Sequence, residues 1–133
     1  MNRKEVRELF NRRPRNLLLA TSDLKGKVNV AVYGSPKMID EETVVLATRD
    51  CRSYQNLREN PQASMFVSET GEIGRTTKGI RVYLELTATE TVGALLEGFK
   101  KDVAGRAGKE AAEAICAALR FRITEVRPVV DQK

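Results

Sequence analysis

Histidine and tryptophan are absent from the 133 residues. Without histidine there is no Ser-His-Asp or Cys-His catalytic unit and no His-ligated metal or haem. Only two cysteines occur, Cys51 and Cys116, too far apart for a metal-knuckle spacing. No secretory signal precedes them, so the expectation is reduced thiols in a cytoplasmic protein. No apolar run approaches the roughly 20 residues that cross a bilayer, so no membrane partner is expected. Phosphate-loop and G-x-G-x-x-G signatures are missing. The carboxylates are scattered, and no general acid or base stands out. Asp40-Glu41-Glu42 is better explained as a hairpin turn than as a cation site.

What remains is a chain of 41% hydrophobic and 31% charged residues, neither disordered nor membrane-bound in composition. Its length fits one domain, residues 1–133. The net charge of +5 is concentrated in residues 1–15, where Arg3, Lys4, Arg7, Arg12, Arg13 and Arg15 face only Glu5 and Glu8. Nucleic-acid binding is one reading of this segment. The favoured one is a basic helix with a solvated face, because no stacking aromatics accompany the charges and Val6, Leu9 and Phe10 form one apolar stripe.

Alternating or β-branched runs predict strands at 16–21, 28–33, 43–48, 63–68, 80–91 and 120–126. In 28–33, Val28, Val30 and Val32 face away from Asn29, Ala31 and Tyr33. Helical spacing appears at 49–60, with Ser53 as candidate N-cap and Asn60-Pro61 as stop. It recurs through Val92, Leu95, Leu96, Phe99 and Val103, and a second alanine-rich helix is expected over 107–119. Residues 69–78 form a polar loop. Strands do not alternate with crossover helices, which argues against a doubly wound parallel sheet. The fold class expected is mainly β (α+β): a six-stranded antiparallel split β-barrel of Greek-key type with peripheral helices.

One segment concentrates binding chemistry: Thr48-Arg49-Asp50-Cys51-Arg52-Ser53-Tyr54-Gln55-Asn56-Leu57. A strand ends there and a helix begins. Free N–H groups in a first helical turn, the Arg52 guanidinium and the Ser53 hydroxyl would suit a phosphate monoester. The competing reading is that Ser53 only caps the helix and Arg52 lies on the surface. Cys51 at this helix start could have a lowered pKa, although a small residue filling a tight turn explains it as well. Cys116, among alanines, is expected in the core.

The ordered set Val28–Asp40, Thr43–Thr48 and Arg52–Pro61, continued by Gly79–Val92 and Phe121–Val126, resembles the pyridoxamine 5′-phosphate oxidase-related FMN-binding split barrels. The resemblance implies a homodimer with FMN sites at the subunit interface. Carried over by position, Arg52 and Ser53 would hold the FMN phosphate. Val32, Tyr33 and Gly34 would border the isoalloxazine ring, and Ala47, Thr48 and Arg49 would line its other side. The implied function is a small FMN-dependent oxidoreductase acting on a small-molecule substrate or redox partner. The alternatives are a non-enzymatic electron carrier, a deazaflavin-binding reductase and, ranked last, a nucleic-acid-binding barrel.

Two departures from the family pattern stand out. Tyr83 and Leu84 occupy positions where family members often carry a basic residue and glycine, which could narrow the cavity. The C-terminal tryptophan- and arginine-bearing segment of the vitamin-processing oxidase has no counterpart, so a substrate other than pyridoxamine phosphate is expected.

Overall fold

A computed structural model describes residues 1–131. The elements are α1 (Arg3–Asn11), β1 (Asn16–Ser22), β2 (Val28–Val32), β3 (Lys37–Met38), β4 (Thr43–Thr48), α2 (Arg52–Glu59), β5 (Gln62–Ser68), β6 (Gly79–Glu90), α3 (Ala94–Ala107), α4 (Lys109–Glu113) and β7 (Ala117–Pro128). All seven strands join one antiparallel sheet in the order β2-β1-β5-β6-β7-β4-β3. The expected six-stranded barrel therefore gains one two-residue strand, β3, where the sequence showed only an apolar pair.

The sheet ends on β2 and β3, which are neighbours in the chain, so the short link Tyr33–Pro36 draws its two edges together. Register shifts between Tyr83 and Leu84 and between Leu86 and Ala88 interrupt the long β6·β7 pairing. Such bulges add bend and twist, which lets a sheet curl onto itself.

Two apolar cores result. Inside the curl, Leu17, Leu19, Leu46, Met65, Val82, Leu84 and Phe121 pack together, with Val6 and Phe10 of α1 at one end. Outside it, Leu96, Phe99 and Ile115 cover Val45, Ala47 and Ala118. This explains why β4 is apolar throughout: Val44 and Leu46 face the barrel, while Val45 and Ala47 face the α3–α4 layer. Gly79 starts β6 opposite Ser68, where a Cβ would collide with the Val67 carbonyl oxygen, so only glycine fits there.

α1 carries a capping box: the Asn2 side chain accepts from the Glu5 N–H at 2.9 Å, and the Glu5 carboxylate accepts from the Asn2 N–H. Most basic residues of segment 1–15 donate to main-chain carbonyls. Arg3 donates to the Glu41 carbonyl, Arg7 to those of Met38 and Ile39, and Arg13 to that of Gly34. Arg15 donates to the carbonyls of Phe10, Gly34 and Pro36. These contacts pin the β2–β3 and β3–β4 connections, where regular pairing is sparse.

Three local expectations change. The alanine-rich segment is helical only over Lys109–Glu113, and the closing strand starts at Ala117 rather than at residue 120. Alanine favours helix intrinsically, but Ala117, Ala118 and Leu119 pair with Thr48, Ala47 and Leu46, and sheet pairing overrides propensity. Ser53 is not the N-cap; Cys51 is, and it makes no side-chain cap bond, leaving Ser53 buried in the first turn of α2. Val92 lies outside α3 and is exposed, so the stripe consists of Leu95, Leu96, Phe99 and Val103, with Leu96 and Phe99 fully buried. The Asp40 carboxylate accepts from the Glu42 N–H, as a turn residue does.

Candidate functional site

Beside β2 and β4 lies a cavity of about 530 Å³. β2 and the link after it line one wall from Asn29 to Ser35, the end of β4 and the start of α2 line the base, and Val103, Arg106, Ala107, Ala111 and Ile115 of the α3–α4 region line the rest. Val32, Tyr33, Gly34, Ala47, Thr48, Arg49, Arg52 and Ser53, the eight positions singled out from the sequence, all line this one cavity. Tyr83 and Leu84 do not. Leu84 is fully buried in the barrel core, and Tyr83 lies against a separate groove beside Ser64 and Glu125, so neither narrows the cavity within one chain.

Ser35 shapes the wall in a way the sequence did not reveal. β3 pairs with β4 as Lys37 with Val45 and Met38 with Val44. The next position outward in that register would set Ser35 opposite Ala47. There the Ser35 hydroxyl replaces main-chain pairing: it donates to the Ala47 carbonyl and accepts from the Ala47 N–H, both at 3.0 Å. The strand link can therefore swing away from β4 and leave space, while β4 keeps its hydrogen bonds.

At the base, the Tyr33 hydroxyl lies 2.8 Å from Thr48 Oγ1 and 3.3 Å from Cys51 Sγ. Burial, reinforced by the Cys51 contact, pushes the Tyr33 pKa up to about 12, so this phenol stays protonated. Burial also raises the Cys51 thiol pKa, but the Tyr33 hydroxyl, the nearby main chain at the start of α2 and the Thr48 hydroxyl outweigh it, and the net shift is downward. Cys116 shifts upward through burial and the nearby Asp50 charge, and it is only partly buried rather than in the core.

The charge pattern is one-sided. Arg49, Arg52 and Arg106 line the cavity, and no Asp or Glu does. Among the described residues, none of these three guanidiniums enters an ion pair. Asn29 Nδ2 donates to Ser53 Oγ at 3.3 Å, which leaves the Ser53 hydroxyl hydrogen available. With no side-chain cap on α2, its first-turn N–H groups and the positive end of its dipole add to the field. The arrangement suits an anion, with its charged group at the α2 end.

Asn29, Ser35 and the α3–α4 wall were not singled out by sequence, whereas Cys51 was flagged there for a lowered pKa, the direction its shift takes. The α3–α4 wall comes from over 50 residues further along and carries no local motif. Among the described residues, no group of three His, Cys, Asp or Glu side chains is placed to hold a metal ion. No described helix is long and apolar enough to cross a membrane.

The fold defines the class: an antiparallel split barrel with a cavity beside its seam. The chain's fold is shared with FMN-binding and pyridoxamine 5′-phosphate oxidase-like split barrels. It matches an FMN-binding protein from Syntrophomonas wolfei subsp. wolfei at TM-score 0.83 and 28% identity, over 98% of this chain and 87% of that one. A candidate pyridoxamine 5′-phosphate oxidase from Lactobacillus delbrueckii matches at TM-score 0.67 and 18% identity, over 93% and 91% of the two chains. An F420 reductase matches at TM-score 0.68 and 19% identity, over 90% and 94%. The last two likenesses show the shared fold alone. No protein-family model and no curated protein sequence matches the chain.

Proposed function

We propose that the protein binds FMN in this cavity, as a homodimer with the site at the subunit interface, and acts as a small flavin-dependent oxidoreductase. The observation that carries the reading is the cavity itself: among the described residues, three guanidiniums without ion-pair partners and an uncapped helix start line a partly apolar space that no carboxylate lines. Its volume lies in the range of cofactor pockets, about 300–1,000 Å³. The likeness to an FMN-binding protein supports the same choice.

In this reading Arg52, the Ser53 hydroxyl and the first-turn amides of α2 hold the phosphate. Main-chain groups of Val32, Tyr33 and Gly34 border the ring, and Ala47, Thr48 and Arg49 line its other side. FMN supplies the redox chemistry, and the arginines favour its more negative, reduced state. Tyr33, held protonated, keeps Thr48 and Cys51 in place at the base. No side chain is assigned a catalytic role.

The dimer reading has its own support. β2 is an edge strand whose outer face carries Val28, Val30 and Val32, at 74%, 60% and 80% exposure. An uncovered apolar edge strand invites pairing or aggregation, and a second copy laid over β2 would cover it and complete the cavity rim.

The test is a visible absorption spectrum after mixing with FMN and desalting. Flavin bands that stay with the protein and appear as free FMN on denaturation support the reading. A colourless protein that takes up a deazaflavin instead would move the assignment to that cofactor. If bound FMN turns over with no reductant and acceptor pair faster than free FMN does, the electron-carrier reading replaces the enzyme.

A further inference from the structure

The two cysteines come from distant parts of the sequence and meet at one end of β4. Thr48, the last residue of β4, contacts both. Its hydroxyl lies 3.6 Å from Cys51 Sγ, and its carbonyl accepts from the Cys116 N–H at 2.9 Å. The β4·β7 register sets Ala117 opposite Thr48. Cys116, one residue earlier, therefore lies beside the turn in which residues 49–51 lead into α2. Opposed strand residues stand about 5 Å apart, and a disulfide needs α-carbons within roughly 7 Å. Both side chains pack against the barrel core, and both stay partly open to solvent.

The two thiols are not equivalent. Cys51 lines the cavity and Cys116 does not. Arg49 and Arg52 flank Cys51 there, and no Asp or Glu lines the space. The Tyr33 hydroxyl, 3.3 Å from Cys51 Sγ, can donate to a thiolate. Cys51 sits below the usual thiol pKa, whereas burial, then the Asp50 charge, raises Cys116. Thiol–disulfide exchange proceeds through the thiolate and needs access, so Cys51 is the attacking group and Cys116 the one that follows.

We propose that Cys51 and Cys116 form a thiol-modification site that reacts with small anionic disulfides and closes as a Cys51–Cys116 bond within one chain. First, the Cys51 thiolate attacks one sulfur of the small disulfide, which breaks its S–S bond, forms a mixed disulfide on Cys51 and releases one thiolate. Next, deprotonated Cys116 attacks the Cys51 sulfur and displaces the second thiolate. The two cysteine protons end on the two released thiols. The cysteine pair loses two electrons and the small disulfide gains them. The anionic class follows from the arginines beside Cys51. Neither step involves a cofactor, so the site stands or falls separately from the FMN reading.

The test treats the reduced chain, without FMN, with glutathione disulfide. Samples are quenched in acid over time, alkylated and mapped as peptides by mass spectrometry. Glutathione should appear first on Cys51 and then be lost as a linked Cys51–Cys116 peptide forms. Cys116→Ala should stop at the Cys51 mixed disulfide, and Cys51→Ala should leave Cys116 reduced over the same period. Bis(2-hydroxyethyl) disulfide, which is neutral, is run in parallel. Each rate is divided by the rate of the urea-unfolded chain with the same probe, which removes intrinsic reactivity. The anionic probe should then be favoured by about tenfold or more.

A Cys51 mixed disulfide that persists with no linked peptide would overturn the proposal. So would glutathione arriving first on Cys116, or linkage only between two chains. Equal normalised rates for the two probes would overturn the anionic class.

Discussion

Replacing Ser35 by alanine removes one oxygen atom and two hydrogen bonds. Both bonds go to the main chain of Ala47, which is only 6% exposed. The methyl group that replaces the hydroxyl can neither accept from the Ala47 N–H nor donate to its carbonyl. An unsatisfied buried polar group costs about 1–3 kcal/mol, and the lower part of that range applies here because the adjoining cavity admits water. Two such groups give a loss of about 2–4 kcal/mol. A domain of this length has an unfolding entropy near 0.28 kcal/mol/K, so Tm should fall by about 7–14 °C. Differential scanning calorimetry measures it, and Ser35→Thr, which keeps the hydroxyl, should recover most of the loss. A drop below about 2 °C would show that Ser35 does not complete the β3–β4 pairing, and the account of how the cavity opens would fail with it.

Other perturbations probe the interface and the base of the cavity. Val30→Lys places a charge on the exposed valine face of β2 and should convert a dimer to a monomer in sedimentation velocity; an unchanged dimer would locate the interface elsewhere. The thiol shifts predict that Cys51 alkylates with iodoacetamide faster than Cys116 near pH 8, because a lowered pKa gives more thiolate there and a raised one gives less. Peptide mass mapping reads the order, and FMN should slow Cys51 alone, since Cys51 lines the cavity and Cys116 does not. Equal rates for the two thiols would contradict the hydrogen-bonded environment assigned to Cys51.

Much of this architecture is legible in local pattern. The alternation of Ile80, Val82 and Leu84 marks the long strand, and the doubly apolar run Val44–Ala47 marks a strand covered on both faces. The strand-to-helix switch at residues 48–53 locates the base of the cavity, because strand ends and helix starts leave main-chain groups and charge exposed together. What stays hidden depends on contacts distant in sequence. Ala117–Leu119 looks helical until β4 is present to pair with it. The sequence Gly34-Ser35-Pro36 reads as a plain interruption, and nothing in it indicates that the Ser35 hydroxyl bonds to a strand twelve residues away. The outward valine face of β2 has the same period as an inward one, since alternation reports two faces but not which of them meets solvent. Arg106 sits among ordinary helix-surface residues, and only the packing of α3 beside β4 and β7 brings it to the cavity wall.

The most direct test compares FMN with riboflavin, which differs only in lacking the phosphate, by fluorescence titration of wild-type protein and Arg52→Ala. If Arg52 holds the phosphate, the substitution removes one charge-assisted contact worth roughly 1.5–3 kcal/mol. FMN affinity should then fall about 10- to 100-fold, with riboflavin affinity unchanged. Equal affinity of Arg52→Ala and wild type for FMN, or an equal loss for both ligands, would contradict the phosphate site on which the functional account stands.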